Sequence, residues 1–370
     1  MKKVLFVNWL PSGSTSLSLK ICPHDIDHLT IAESLQNKGY QVWLHEPFLQ
    51  VSRQSDWQNK IERSEIDEKL NQFDMVVLIT QSSKWFWDYV SWKLPGEREN
   101  KSGRGVDFLR TLESLYNYTG RILINITDPR DEYLEGLTVH HPKAARCDSE
   151  VVRKLSSVLS RSEIVSSIPI SEMLNMSSVS DIVRKDVLSR KNILCSYSFN
   201  QSQHYSQVPL RDSYQYETVY VGNPDQTKER KNAIESMIKK HPGSYTAGPI
   251  FLKNIPNLTS IQRNSKKRLI ISKDEVLKLT QDSRVSILVS EPGHINWPTP
   301  RMYECLIGGT IPAIHPSYPS ASLIPRTFER CAVEHIRDIP RDRSWEEDTY
   351  AIAKEEVDNL SKLRPLDIEL

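Results

Sequence analysis

Arg301 and Glu304 stand three apart in the stretch EPGHINWPTPRMYECLIGGTIPAI (291–314), a spacing that places both on one face of a short helix. A helix start presents unpaired N–H groups and the positive end of its dipole, which suits a pyrophosphate. The planar fork of Arg301 can donate to phosphate oxygens, and Glu304 can accept from two vicinal ribose hydroxyls. An ordinary surface ion pair would use the same two residues. His294 and Asn296, in the Gly- and Pro-containing loop just before, offer hydrogen bonds to a sugar. Gly308-Gly309 then permits a tight turn into the next strand.

A second phosphate candidate is Gly222-Asn223, at the end of an apolar strand and ahead of Lys228, Arg230 and Lys231. Such a turn brings backbone N–H groups onto an anion, and it also reads as a plain βα turn followed by a solvated basic helix face. Asp274, opening a helix over 274–280, joins the same donor-binding set. Asp128, in NITDPR, closes a strand on the edge where doubly wound sheets bind ligands. It can act there as a general base toward a hydroxyl, or form the turn before Pro129. Asp27 lies on the same edge, after the first strand, where it can also cap a helix. In the stretch 84–104, Trp85, Tyr89 and Trp92 form one helical stripe suited to a core. Phe86 and Trp87 fall off that stripe, among Lys84, Lys93, Arg98, Lys101 and Arg104. Aromatic rings among cations also hold unstacked bases.

The elements that must position these groups alternate. Strands are expected over Lys3–Asn8, Gln41–His45, Asp74–Thr80, Arg121–Thr127, Ile164–Ile168 and Asn192–Tyr197. A second series follows over Thr218–Val221, Arg268–Ile271, Val285–Val289 and Thr310–Ile314. Intervening helices are expected over Ser149–Leu159, Val179–Arg190, Lys228–Lys240, Arg301–Leu306 and Asp348–Leu363. Strand–helix alternation of this kind predicts an α/β protein with two Rossmann-like domains facing a central cleft. Residues 1–200 would form the N-terminal domain, 201–216 a linker and 217–345 the C-terminal domain, with 346–370 packing back on the first.

Composition narrows the classes. The 370 residues fit about two domains. Lys+Arg 48 against Asp+Glu 47 gives a formal charge of +1, which excludes nucleic-acid binding by bulk charge and confines any such contact to a local patch. The 5 cysteines have no metal or disulfide spacing, so no metal site and a reducing, cytoplasmic setting are expected. The apolar start MKKVLFV is cut short by Asn8 and Pro11, and no run approaches the length of a membrane span.

Taken together, NITDPR, YVGNPDQTKERK and RMYE resemble, in order and spacing, the GT-B fold DNA β-glucosyltransferases of T-even phages. The resemblance implies an inverting transfer of sugar from a UDP-sugar donor, UDP-glucose or a relative, to 5-hydroxymethylcytosine or 5-hydroxymethyluracil in double-stranded DNA. It implies Asp128 as the base, Arg301 on the diphosphate and Glu304 on the ribose. Gly222, Asn223, Lys228 and Arg230 would also serve the donor, with Asp27 near the sugar. The DNA would be met by Lys84, Trp85, Trp87, Lys93, Lys101, Arg104 and Arg130. A divalent metal is possible without being required. The expected setting is the cytoplasm of a phage-infected bacterium, with the protein a monomer away from membranes. The chain departs from the family at Val221-Gly222, in place of Gly-Gly, and at Asp225, in place of the first arginine after the turn. The rival readings are a GT-B enzyme of surface-glycan or lipid-linked sugar synthesis, a nucleotide-sugar epimerase, and a non-catalytic DNA-binding module.

Overall fold

The structure is a computed structural model. It describes residues 1–7, 31–32, 35–45, 60–61, 66–79, 104–126, 131–166, 169–175, 177–194, 209–222, 227–238, 244–247, 258–260, 278–290 and 300–363. The chain divides into two compact units, which part between Tyr197 and Ser198.

The first unit is built on a seven-stranded sheet: β1 (Lys3–Val7), β2 (Gln41–His45), β3 (Lys60–Ile61), β4 (Met75–Ile79), β5 (Arg121–Ile126), β6 (Ser162–Ser166) and β7 (Asn192–Leu194). Spatial order is β3-β2-β1-β4-β5-β6-β7, and every pairing is parallel. A parallel sheet is covered on both faces, so its strands must be apolar on both. Leu5, Val7, Val76, Leu78, Ile122 and Ile124 face one core, and Val4, Phe6, Met75, Val77 and Leu123 face another. Burial of each such side chain contributes about 1.5–3 kcal/mol. The helices described in this unit include α1 (Arg104–Asn117), α2 (Asp131–Gly136), α3 (Ser149–Ser160), α4 (Ile170–Asn175) and α5 (Asp181–Leu188). Asp148 caps α3 by accepting from the Glu150 N–H at 2.7 Å.

The second unit carries a five-stranded sheet of β8 (Tyr216–Val221), β9 (Ser244–Ala247), β10 (Leu258–Ser260), β11 (Ser283–Leu288) and β12 (Ile311–Ile314). Its order is β10-β9-β8-β11-β12, again parallel throughout. Its helices include α6 (Lys228–Ile238), α7 (Pro300–Ile307), α8 (Pro325–Cys331) and α9 (Arg343–Leu363).

Strand order reverses once in each sheet. From β1 the chain moves to β2 on one side, and from β4 to β5 on the other; β8→β9 and β11→β12 repeat the pattern. The reversal points lie between β1 and β4 and between β8 and β11, the place at which sheets of this topology bind ligands.

Three strands lie outside the expected series. The strands β3, β9 and β10 carry no apolar run, being KI, SYTA and LTS, and so escape a periodicity reading. The C-terminal helix was expected to return to the first unit. As far as residue 363, its described contacts lie in the second: Glu356 accepts from the Thr327 N–H at 2.9 Å and from Thr327 Oγ1 at 2.6 Å, and Tyr350 donates to the Leu306 carbonyl. Residues 364–370, the expected strand Arg268–Ile271 and residues 201–208 of the expected linker lie outside the described residues.

A buried ion cluster fastens this helix to the sheet. Arg284 on β11 reaches Glu217 on β8 at 2.6 Å and Glu346 on α9 at 2.8 Å. Replacing Arg284 with Met should destabilise the protein by about 3–5 kcal/mol, because Glu346 would be left buried without its cation while Glu217 keeps only Arg341, at 3.3 Å. Urea unfolding measures this, and a loss under about 1 kcal/mol would show that Arg284 is not the fastening. His141 supplies a pH dependence. Its Nδ1 accepts from the Lys143 N–H at 3.1 Å, and burial pushes its pKa down to about 4. The unfolded imidazole protonates near 6.5, so stability from this group is complete above that pH and declines as pH falls toward 4. Melting temperature should therefore drop across that window, and His141→Gln should make the slope shallower.

Candidate functional site

The described candidate residues gather on the carboxyl edge of the second sheet. Strand β8 ends at Val221, and Gly222 follows with φ +149°, a backbone that side chains rarely adopt. A Cβ there would also lie 2.9 Å from the Tyr220 hydroxyl, so a glycine is needed on two independent counts. The chain then enters α6. Thr227 caps it, with Oγ1 accepting from the Arg230 N–H at 3.2 Å. Lys228, Arg230 and Lys231 fall in the first turn with only Glu229 for balance. Cations at that end oppose the helix dipole, by about 0.3–1 kcal/mol each, and an anion would reverse the sign.

The neighbouring strand β11 delivers α7. Pro300 opens the helix, where its missing N–H is harmless. Met302, Cys305 and Leu306 are fully buried and anchor one face. The helix ends in a Schellman arrangement: the Thr310 N–H donates to the Cys305 carbonyl at 3.0 Å and the Gly309 N–H to Leu306 at 3.3 Å, with Gly309 at φ +66°. On the remaining face Arg301 donates through Nη1 to Glu304 Oε2. Glu304 is buried, its side chain only 8% exposed, whereas that of Arg301 is 26% exposed. Burial pushes the Cys305 thiol up to about 12, which makes it a packing group rather than a nucleophile.

Helices α6 and α7 lie on opposite faces of the sheet. Ile234, Met237 and Ile238 pack with Tyr220, Val285, Ile287 and Ala313, while Cys305 hydrogen-bonds with Ser286, which points the other way from Val285 and Ile287. Gly222 and the start of α7 therefore follow adjacent strands, flanking the reversal point from its two sides. Together they offer a glycine turn, two helix starts, several cations and one carboxylate. That set suits a doubly charged diphosphate joined to a diol.

The structure thus assembles Gly222, Lys228, Arg230, Arg301 and Glu304 on one sheet edge. Asn223, Asp274, His294 and Asn296 lie outside the described residues. So do Asp27, Asp128, Arg130, Lys84, Trp85, Trp87, Lys93 and Lys101; Arg104 opens α1, but its side chain is not described. The strands that lead to these segments are described. Asp128 follows β5 directly, and the chain resumes at α2, where Asp131 accepts from the Ser178 N–H at 3.1 Å. Two contributors escape a sequence reading. Thr227 carries the N-cap signal of a hydroxyl residue before a helix, whereas nothing in the sequence marks Tyr220 as the side chain beneath the glycine turn.

Among the described residues, no group of His, Cys, Asp or Glu is placed to hold a metal ion, and no helix is long and apolar enough to cross a membrane. No protein-family model matches the chain, and no curated protein matches it in sequence. Solved structures do match. The T4 phage β-glucosyltransferase in complex with UDP and Mn2+ has a TM-score of 0.60 at 12% identity, over 98% of this chain and 96% of that one. Its complex with UDP-glucose gives 0.59 at 12% identity and the same coverage. A structure of the DNA modifying enzyme β-glucosyltransferase, with and without uridine diphosphoglucose, gives 0.58 at 12% identity and again 98% and 96% coverage. At so low an identity the likeness shows the fold: this chain is an α/β protein of two Rossmann-like units, with the GT-B fold of the phage β-glucosyltransferase.

Proposed function

We propose that this protein is an inverting glycosyltransferase that moves a sugar from a UDP-sugar to the hydroxymethyl group of a modified pyrimidine, 5-hydroxymethylcytosine or 5-hydroxymethyluracil, in phage DNA. The observation that carries the reading is the reversal point between β8 and β11, with the Gly222 turn on one side and the Arg301–Glu304 helix on the other. Support also comes from the fold, shared with a phage enzyme whose structures hold UDP-glucose or UDP.

In this reading the second unit binds the donor. Gly222 and Asn223 amides, Lys228, Arg230 and Arg301 meet the diphosphate, Glu304 the ribose, and His294, Asn296 and Asp27 the sugar; Asp274 belongs to the same donor set. A divalent ion could share the diphosphate without being needed, since cations and amides already oppose its charge. The first unit receives DNA through Lys84, Trp85, Trp87, Lys93, Lys101, Arg104 and Arg130. The target nucleotide is flipped out of the duplex, because a stacked hydroxymethyl group cannot reach a donor carbon. Asp128 takes the hydroxyl proton as that oxygen attacks the anomeric carbon from the face opposite the diphosphate. The new carbon–oxygen bond forms, the bond to the diphosphate breaks, and UDP leaves with the electron pair. Productive transfer requires Asp128, carried by one unit, to meet a donor held by the other with water excluded. The enzyme would act as a monomer in the cytoplasm of the infected cell.

Asp128→Asn should lower transfer by at least about 100-fold while leaving UDP affinity within about twofold. Radiolabelled transfer and calorimetry measure the two, and an active variant sinks the assignment of the base. Nucleoside mass spectrometry after incubation with a panel of UDP-sugars tests the acceptor. A new glycosylated nucleoside should appear with hydroxymethylated DNA and be absent with unmodified DNA. Transfer to a glycan or lipid acceptor without DNA would favour the surface-sugar alternative.

A further inference from the structure

We propose that Glu304 is a positioning residue for Arg301: its carboxylate fixes the guanidinium toward the diphosphate, so much of its effect on donor binding passes through that arginine. The inference rests on the donor-site reading above and deepens it at one residue.

Three observations carry it. Arg301 donates directly to Glu304 Oε2, and among the described residues neither group has another ion-pair partner. Exposure is unequal: at 8% exposed, the Glu304 side chain is much the less accessible to a ligand, whereas the Arg301 fork, at 26%, still reaches solvent. The helix itself is immobilised by Met302, Cys305 and Leu306 in the core and by the Schellman turn at Gly309. Glu304 therefore projects from a fixed backbone.

Physical chemistry then assigns the roles. A buried carboxylate is costly unless paired, so the ion pair is the favoured state of Glu304. An unrestrained arginine in the first helical turn would be repelled by the dipole and spread over many rotamers. One hydrogen bond from Nη1 removes most of that freedom and leaves the other N–H donors of the fork for phosphate oxygens. Glu304 Oε1 is left to accept from a ribose hydroxyl. Its two oxygens thus serve two tasks, of which holding Arg301 is the one that does not need the ribose.

The test is calorimetric titration of the full-length protein and of Glu304→Gln, Arg301→Ala and the double variant, with UDP and with 2′,3′-dideoxy-UDP. Glu304→Gln should weaken UDP by about tenfold, the scale of one charge-assisted hydrogen bond. It should weaken the dideoxy ligand by a comparable factor, and in the Arg301→Ala background it should add less than about twofold. A loss that vanishes with the dideoxy ligand would overturn the proposal, leaving Glu304 as a ribose contact alone. An undiminished loss in the Arg301→Ala background would also overturn it. If Glu304→Gln lowers the melting temperature markedly, Glu304→Asp, which keeps the charge but retracts it from Arg301, should show the same pattern. Failure of the unaltered protein to bind UDP would overturn the donor-site reading itself, and this proposal with it.

Discussion

Parallel pairing throughout both sheets is the constraint on which the rest of this structure depends. Parallel neighbours cannot be joined by a hairpin, so each strand must be left at its carboxyl end and regained at its amino end by a crossover. Crossovers are right-handed, and a helix therefore lands on one face when the chain moves one way along the sheet and on the other when it moves back. This handedness sets α6 and α7 on opposite faces although they follow adjacent strands. Their N-termini, each a cluster of unpaired N–H groups, are left flanking the same gap. The site is thus a consequence of topology before any side chain is considered.

Covering both faces has an electrostatic consequence. Charged groups at strand ends are enclosed by helices and must find partners, as Arg284 does between Glu217 and Glu346, and Arg121 with Glu163 at 2.6 Å. These clusters consume charge in pairs. The first turn of α6 gathers Lys228, Arg230 and Lys231, where a helix disfavours cations, around a single acidic residue of that turn, Glu229. A formal charge of +1 over the whole chain conceals this contrast. What bears on ligand binding is where the cations are left in excess, and the helix start is such a place.

Much of this was legible in the sequence because two-sided burial writes a plain signal. KVLFV, MVVLI and RILINI are continuous apolar runs, and β1, β4 and β5 fall on them. The glycine turn and the Arg-x-x-Glu helix were legible because phosphate chemistry draws on few residue types. Legibility failed where packing, rather than local pattern, decides. SYTA pairs β8 along four positions despite its polarity, since it is held between β8 and β10 by its neighbours' ladders rather than by an apolar run of its own. The destination of the C-terminal helix depends on Glu356 meeting Thr327 and on Tyr350 meeting Leu306, contacts that no periodicity announces. The ion pair between Arg301 and Glu304 was visible as a spacing, but the unequal burial of its two members was not.

The first sheet obeys the same topological rule. Its reversal lies between β1 and β4, and β5 is the next strand along. The chain leaves β1 for the segment that contains Asp27, β4 for the segment that contains residues 84–103, and β5 for Asp128. Strands β1, β4 and β5 thus lead, in chain order, into every residue of the first unit singled out by its chemistry, with Arg104 and Arg130 closing the two later segments. Strands β1 and β5, from which the chain departs toward Asp27 and Asp128, each stand one step of the parallel ladder, about 5 Å, from β4. Random placement of candidate residues over two sheets and their helices would scatter them between both edges. That all of them follow, in chain order, strands beside a reversal point is the arrangement that a ligand-binding α/β unit requires. Strand β5 itself stands one strand removed from the reversal, so the segment it leads into begins beside the point where such sheets bind ligands.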